Sequence, residues 1–121
     1  MKDDSVIQAK SKAFAIRIVR MYQFLTDKKK EFILSKQVLR SGTSIGANIA
    51  EAKYAISKKE FIQKLQIALK ESAETAFWLE VLHETDYLSK REFSAIYPEC
   101  EELLRLLISS ITTLKRQISA S

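Results

Sequence analysis

The sequence predicts an all-α fold, an antiparallel up-down-up-down four-helix bundle, and three observations carry the prediction. Apolar residues recur at steps of three and four through four long segments, the spacing of one helix face. Only two glycines and one proline occur in 121 residues, too few for an architecture that needs a turn about every ten residues. Short polar breaks separate the segments, and short connections make consecutive helices antiparallel neighbours. The length suits one domain over residues 1–121, because single cores commonly form at about 100–150 residues.

The first helix is predicted over residues 4–26, with Ile7, Phe14, Ile18, Met21 and Leu25 on one face. The charge-dense run Asp27-Lys28-Lys29-Lys30-Glu31 interrupts that stripe and reads as a connection. A second helix is predicted over residues 32–55, with Val38, Gly42, Ile45, Ile49, Ala52 and Ile56 as its stripe. An interior glycine costs about 1 kcal/mol against alanine, so Gly42 and Gly46 need a compensating reason. With Ser41, Thr43, Ser44, Ala47 and Ala50 they form a strip almost free of side chains, suited to close approach by another helix. Ser57-Lys58-Lys59-Glu60 fits a capping box and opens a third helix over residues 58–85, striped by Phe61, Leu65, Ala68, Ser72, Thr75, Leu79 and Leu82 and widened by Ile62, Leu69, Ala73 and Ala76. Ser89-Lys90-Arg91-Glu92 is a second box and opens a fourth helix over residues 90–118, where Phe93, Tyr97, Cys100, Leu104, Leu107, Ile111, Leu114 and Ile118 alternate on one face. Pro98 removes a backbone donor inside that segment and predicts a kink, or a short helix before a longer one.

Little in the sequence points to reaction chemistry. Glu80-x-x-His83 has the spacing of one half of a di-iron site, but such sites need the motif twice and the chain has one histidine. Cys100 lies on an apolar stripe, where a free thiol acts as a small buried hydrophobe, and His83 is placed to cap a helix C-terminus. Gly42 and Gly46 lack the Gly-Lys-Ser/Thr ending of a phosphate loop, and no strand precedes them. No catalytic residue, metal or cofactor is therefore expected. The absence of a long uncharged apolar run argues against a membrane partner, and the acidic start Met1-Lys2-Asp3-Asp4 against a secretory signal, which makes the cytoplasm the expected compartment.

Charge is unevenly spread. Residues 1–60 hold 13 Lys/Arg against 6 Asp/Glu, and residues 61–121 hold 7 against 9, so +7 stands beside −2. Such a division serves an anionic partner, or pairing between the halves within the fold or an oligomer. The cations expected to touch phosphates are Arg17, Arg20, Lys28, Lys29, Lys30, Lys36 and Arg40. Aromatic residues are not interleaved among them for base stacking. Apolar residues beyond one stripe per helix, among them Ile96, Leu103, Leu106, Phe77 and Trp78, predict a subunit or partner interface, with Trp78, Leu103 and Leu106 as its anchors.

From Leu39 through Arg40-Ser41-Gly42-Thr43-Ser44-Ile45-Gly46-Ala47-Asn48-Ile49-Ala50-Glu51 to Ala52, the chain resembles the signature of the four-helix-bundle proteins named after 23S rRNA intervening sequences. Ser57-Lys58-Lys59-Glu60-Phe61 and Ile67-Ala68-Leu69-Lys70-Glu71-Ser72 resemble that family's third helix. The resemblance implies a homopentameric ring, and a kinship with accessory proteins of diversity-generating retroelements that bind reverse transcriptase and nucleic acid. It also implies that Gly42, Gly46, Asn48 and Glu51 are packing positions, the last two hydrogen-bonding across helices or holding an interface register. The expected function is non-enzymatic binding of RNA or DNA through phosphates. The alternative is a protein-interaction scaffold, for instance for a reverse transcriptase.

Overall fold

A computed structural model of the chain describes residues 2–120, with side chains from residue 6 onward. It contains four helices, α1 (Lys2–Asp27), α2 (Leu34–Ala52), α3 (Lys58–Glu84) and α4 (Lys90–Ala120), and no strand among the described residues. Each helix packs on its sequence neighbours, and α4 returns to α1, so the four surround one apolar core. The predicted stripe of α1 is buried throughout, with Phe14, Ile18 and Leu25 essentially inaccessible. Full burial of such a side chain stabilises by about 1.5–3 kcal/mol.

Helix α2 is shorter than its apolar periodicity. At its start, the buried Glu31 carboxylate accepts hydrogen bonds from the backbone N–H groups of Ile33 (3.2 Å), Leu34 (3.1 Å) and Ser35 (2.6 Å). Those are the orphan donors of a helix N-terminus, so the chain enters α2 two residues later than the stripe predicts. At its end, Tyr54 and Ala55 N–H groups bond three residues back to Glu51 and Ala52, and Ser57 is extended. Ile56 consequently leaves the stripe and is 92% exposed rather than in the core.

The Ser57 hydroxyl accepts from Glu60 N–H at 3.1 Å, one arm of the predicted box, while the Ser89 and Glu92 box closes with both arms, 2.8 and 3.1 Å. Helix α3 ends with Asp86 in the left-handed region (φ 69°). There Tyr87 N–H reaches Leu82 O and Asp86 N–H reaches His83 O, the two bonds of a Schellman motif. Helix α4 runs unbroken through Pro98, although the proline offers no N–H to the Ser94 carbonyl.

The small residues of α2 sit against neighbouring helices. A Cβ on Gly42 would stand 2.8–3.0 Å from three atoms of the Ile18 side chain, and one on Gly46 would stand 3.2 Å from the Ser11 carbonyl oxygen. On the side facing α3, Ser41 Oγ and Thr75 Oγ1 meet at 2.9 Å, both fully buried. Leu103 is 1% exposed and belongs to this core, as does Ile96. The expected interface role of Leu103 is thereby corrected, because the stripe of α4 is wide enough to bury it within one chain.

Gly42→Ala gains about 1 kcal/mol of helix propensity but overpacks Ile18, at about 1–3 kcal/mol. A net loss of about 1 kcal/mol is expected, read as a lower urea midpoint at unchanged slope.

Candidate functional site

The predicted cations divide into two groups. Arg17 pairs with Glu99 and donates to the Ala95 carbonyl at 3.3 Å, bracing α1 against the turn of α4 that holds Pro98. Arg40 pairs with Glu71 (3.2 Å) and Glu74, and Glu74 also accepts from Trp78 Nε1 at 2.9 Å. Lys10–Glu102 at 3.2 Å is a further contact of this kind. Part of the charge division is thus consumed inside the fold, and Arg17 and Arg40 act as bracing residues rather than open phosphate contacts.

The second group lies at the end of α1 and the turn into α2. Arg20 donates only to Gln23 Oε1, at 3.1 Å. Lys28 has the flanking Asp27 at 3.8 Å, and Lys29 Nζ lies 5.8 Å from the centre of the Phe24 ring. Lys30 and Lys36 have no ion-pair partner among the described residues, and all five side chains are exposed. Two features hold the turn in place. Lys30 takes a left-handed conformation (φ 56°), which costs an L-residue about 1–2 kcal/mol. Immediately after it, Glu31 turns inward and caps α2. The one carboxylate interleaved with these lysines therefore faces backbone N–H groups instead of neutralising the surface. An acid three residues ahead of the first residue of α2 is the signal in the sequence that marks this cap; the charge-dense composition of the run conceals it.

Burial opposes ionisation of Glu31, but hydrogen bonds from the Ser35, Leu34 and Ile33 amides and the Ser35 hydroxyl outweigh it and lower its pKa below the ordinary 4.5. The stability it supplies is full above the unfolded value and is lost as pH falls through the lower native one.

The packing positions are distributed differently from expectation. Glu51 accepts from Lys64 of α3 at 2.8 Å. Asn48 instead bonds within α2, its Nδ2 donating to the Ser44 carbonyl (2.8 Å) and hydroxyl (3.1 Å). Trp78 and Leu106 are half-buried against the core, while Phe77 and Ile108 are exposed.

The groups with reactive potential are occupied. Burial raises the Cys100 thiol to about 12, aided by Glu101 and Glu80, and Sγ lies 3.3 Å from the Ser72 carbonyl. The thiolate needed for nucleophilic attack is absent near neutrality. Glu80 accepts from Tyr97 Oη at 2.7 Å, and that bond, then burial, raises Tyr97 to about 12. His83 Nδ1 lies 3.0 Å from the Leu88 carbonyl, and its ring stacks on Phe93 at 4.4 Å. Among the described residues no three His, Cys, Asp or Glu side chains are grouped to hold a metal ion.

The family model of the 23S rRNA-intervening sequence protein matches residues 3–109. The chain belongs to that family. A crystal structure of a protein with unknown function from the S23 ribosomal protein family of Bacteroides thetaiotaomicron VPI-5482 is similar at 52% identity and a TM-score of 0.89, covering 91% of this chain and 98% of that one. No curated protein matches the chain. The span matched by the 23S rRNA-intervening sequence protein model includes the lysine turn, the α2 glycines and both capping serines, and stops within α4.

Glu31→Gln keeps the shape of the α2 cap and removes its charge. The variant is expected to lose about 1 kcal/mol at pH 7, with the difference from the parent shrinking as the pH drops below 4.5. Urea unfolding at pH 7 and pH 3 reads both values.

Proposed function

We propose that this member of the family is a non-enzymatic, cytoplasmic nucleic-acid-binding protein. In this reading it is an antiparallel up-down-up-down bundle, assembled as a homopentameric ring, that grips RNA or DNA by its phosphates. The observation carrying the reading is the turn between α1 and α2, where Arg20, Lys28, Lys29, Lys30 and Lys36 stand exposed while Glu31 is drawn inward. Clustered cations release condensed counterions on meeting phosphates, giving salt-sensitive and largely sequence-independent affinity. Contact order supports the antiparallel arrangement. Ser11 meets Gly46 while Ile18 meets Gly42, Arg40 meets Glu74 while Glu51 meets Lys64, and Tyr97 meets Glu80 while Cys100 meets Ser72. The lone buried thiol of Cys100 suits a reducing compartment.

Exposed Phe77 and Ile108, beside half-buried Trp78 and Leu106, support an interface on α3 and α4. The same surface favours the second reading, an interaction scaffold whose partner is a protein such as a reverse transcriptase.

Fluorescence anisotropy of labelled RNA and DNA across a salt series separates the two. Replacing Arg20, Lys28, Lys29 and Lys30 by Glu is expected to lower affinity at least about tenfold and flatten the salt slope by about 0.7–0.9 per lost contact; unchanged binding, or none by the parent, leaves the scaffold. Light scattering tests the ring, with an expected mass five times the 13.9 kDa of one chain. Phe77→Asp with Ile108→Asp is expected to reduce that mass, and a monomeric parent would remove the ring from the reading.

A further inference from the structure

The corner between α2 and α3 carries a second basic surface, built unlike the first. Tyr54 is 81% exposed and Ile56 92% exposed, and Lys53, Lys58 and Lys59 surround them in sequence. None of the three lysines has an ion-pair partner among the described residues. The two nearest carboxylates in sequence are Glu51, which is taken by Lys64 at 2.8 Å, and Glu60, which lies half-buried in the first turn of α3. Lys53 also lines a groove of about 340 Å³ between α1 and α2, whose other walls include Lys12, Gln8, Ser11, Ala47 and Ala50 and no carboxylate. Lys53, on one wall of this groove, is followed in the chain by Tyr54, whose side chain stands largely open to solvent.

We infer that this groove and corner bind unpaired nucleotides, with Lys12, Lys53, Lys58 and Lys59 meeting phosphates and a base stacking on Tyr54. The inference rests on the nucleic-acid reading above and adds a strand preference to it. A cationic groove that tracks the backbone, joined to an aromatic stacking surface, is how proteins hold single strands, whose bases expose their faces as a duplex does not. A bilayer surface is the less favoured occupant. Interfacial anchoring scales with buried apolar area, and Tyr54 and Ile56 are flanked by lysines and by a groove of small and polar residues rather than by a continued apolar stripe.

The test uses the full chain and labelled probes of one sequence, single-stranded RNA, single-stranded DNA and duplex DNA, in anisotropy at fixed salt. The parent is expected to bind a single strand more tightly than the duplex. Tyr54→Ala is expected to weaken single-strand binding about 5- to 150-fold with the salt slope and duplex affinity unchanged, and Tyr54→Phe to restore it. Equal single-strand binding by the parent and Tyr54→Ala overturns the stacking site while duplex and salt data preserve the phosphate reading. Failure of the parent on all three probes overturns both. Loss of cosedimentation with phosphatidylserine vesicles in Tyr54→Ala, without any change on oligonucleotides, overturns the site in favour of a membrane surface.

Discussion

The fold depends on how closely α2 can approach its neighbours. Gly42 leaves room for Ile18, one of the most deeply buried side chains of α1, and Gly46 lets the α1 backbone come within reach of its own. On the opposite side, Ser41 and Thr75 replace bulk with a shared hydrogen bond, and every buried side-chain polar atom described has a partner. Glycine inside a helix is costly, and buried hydroxyls are costly unless satisfied. Both are repaid here by dispersion contacts made at short axial distance, since packed atoms gain attraction only near their optimal separation.

That seam explains which features could be read from the sequence. Heptad-like spacing placed the stripe of α1 and that of α3 from Leu65 to Leu82 in the core, with Phe61 only partly buried and Ala73 exposed, because a long helix commits every third and fourth residue to one side. Close approach was legible in the glycines for the same reason, as only a compensating contact justifies their cost. The capping boxes marked the starts of α3 and α4, but the ends of α2 were less legible. Ile56 continues the apolar step of α2, yet the helix has already ended at Ala52, since periodicity records only which residues are apolar, not where backbone donors find partners. Leu103 shows the converse error: a residue beyond a one-stripe template is taken up by a core that receives more than one stripe from α4.

Charge was legible as an imbalance but not as an arrangement. Net totals for the two halves cannot distinguish Arg40, fastened to Glu71 and Glu74, from Lys36, which faces solvent a turn earlier on the same helix. The difference arises from α3 lying along one side of α2, a tertiary fact. Exposed ion pairs contribute little stability individually, so the carboxylates of α3 and α4 matter more for what they remove. They neutralise Lys10, Arg17 and Arg40 on the sides of the bundle and leave the lysines of the two turns that flank α2 without such partners.

Unpaired cations at the ends of α2 stand apart from the residues that pack its middle. The middle of α2 is fixed by Gly42, Gly46 and Ser41, where a single added methyl group meets an occupied neighbour. The turns that flank it are fixed differently, by Glu31 at the start of α2 and by Ser57 at the start of α3. Glu31 holds the backbone through three N–H groups and Ser57 through one, while the adjoining side chains, Lys30 and Phe32 at one end and Tyr54 and Ile56 at the other, project into solvent. A backbone held in this way does not require those side chains for its conformation. The tips can therefore carry lysines and aromatic rings at little expense to the core, and the interior seam cannot.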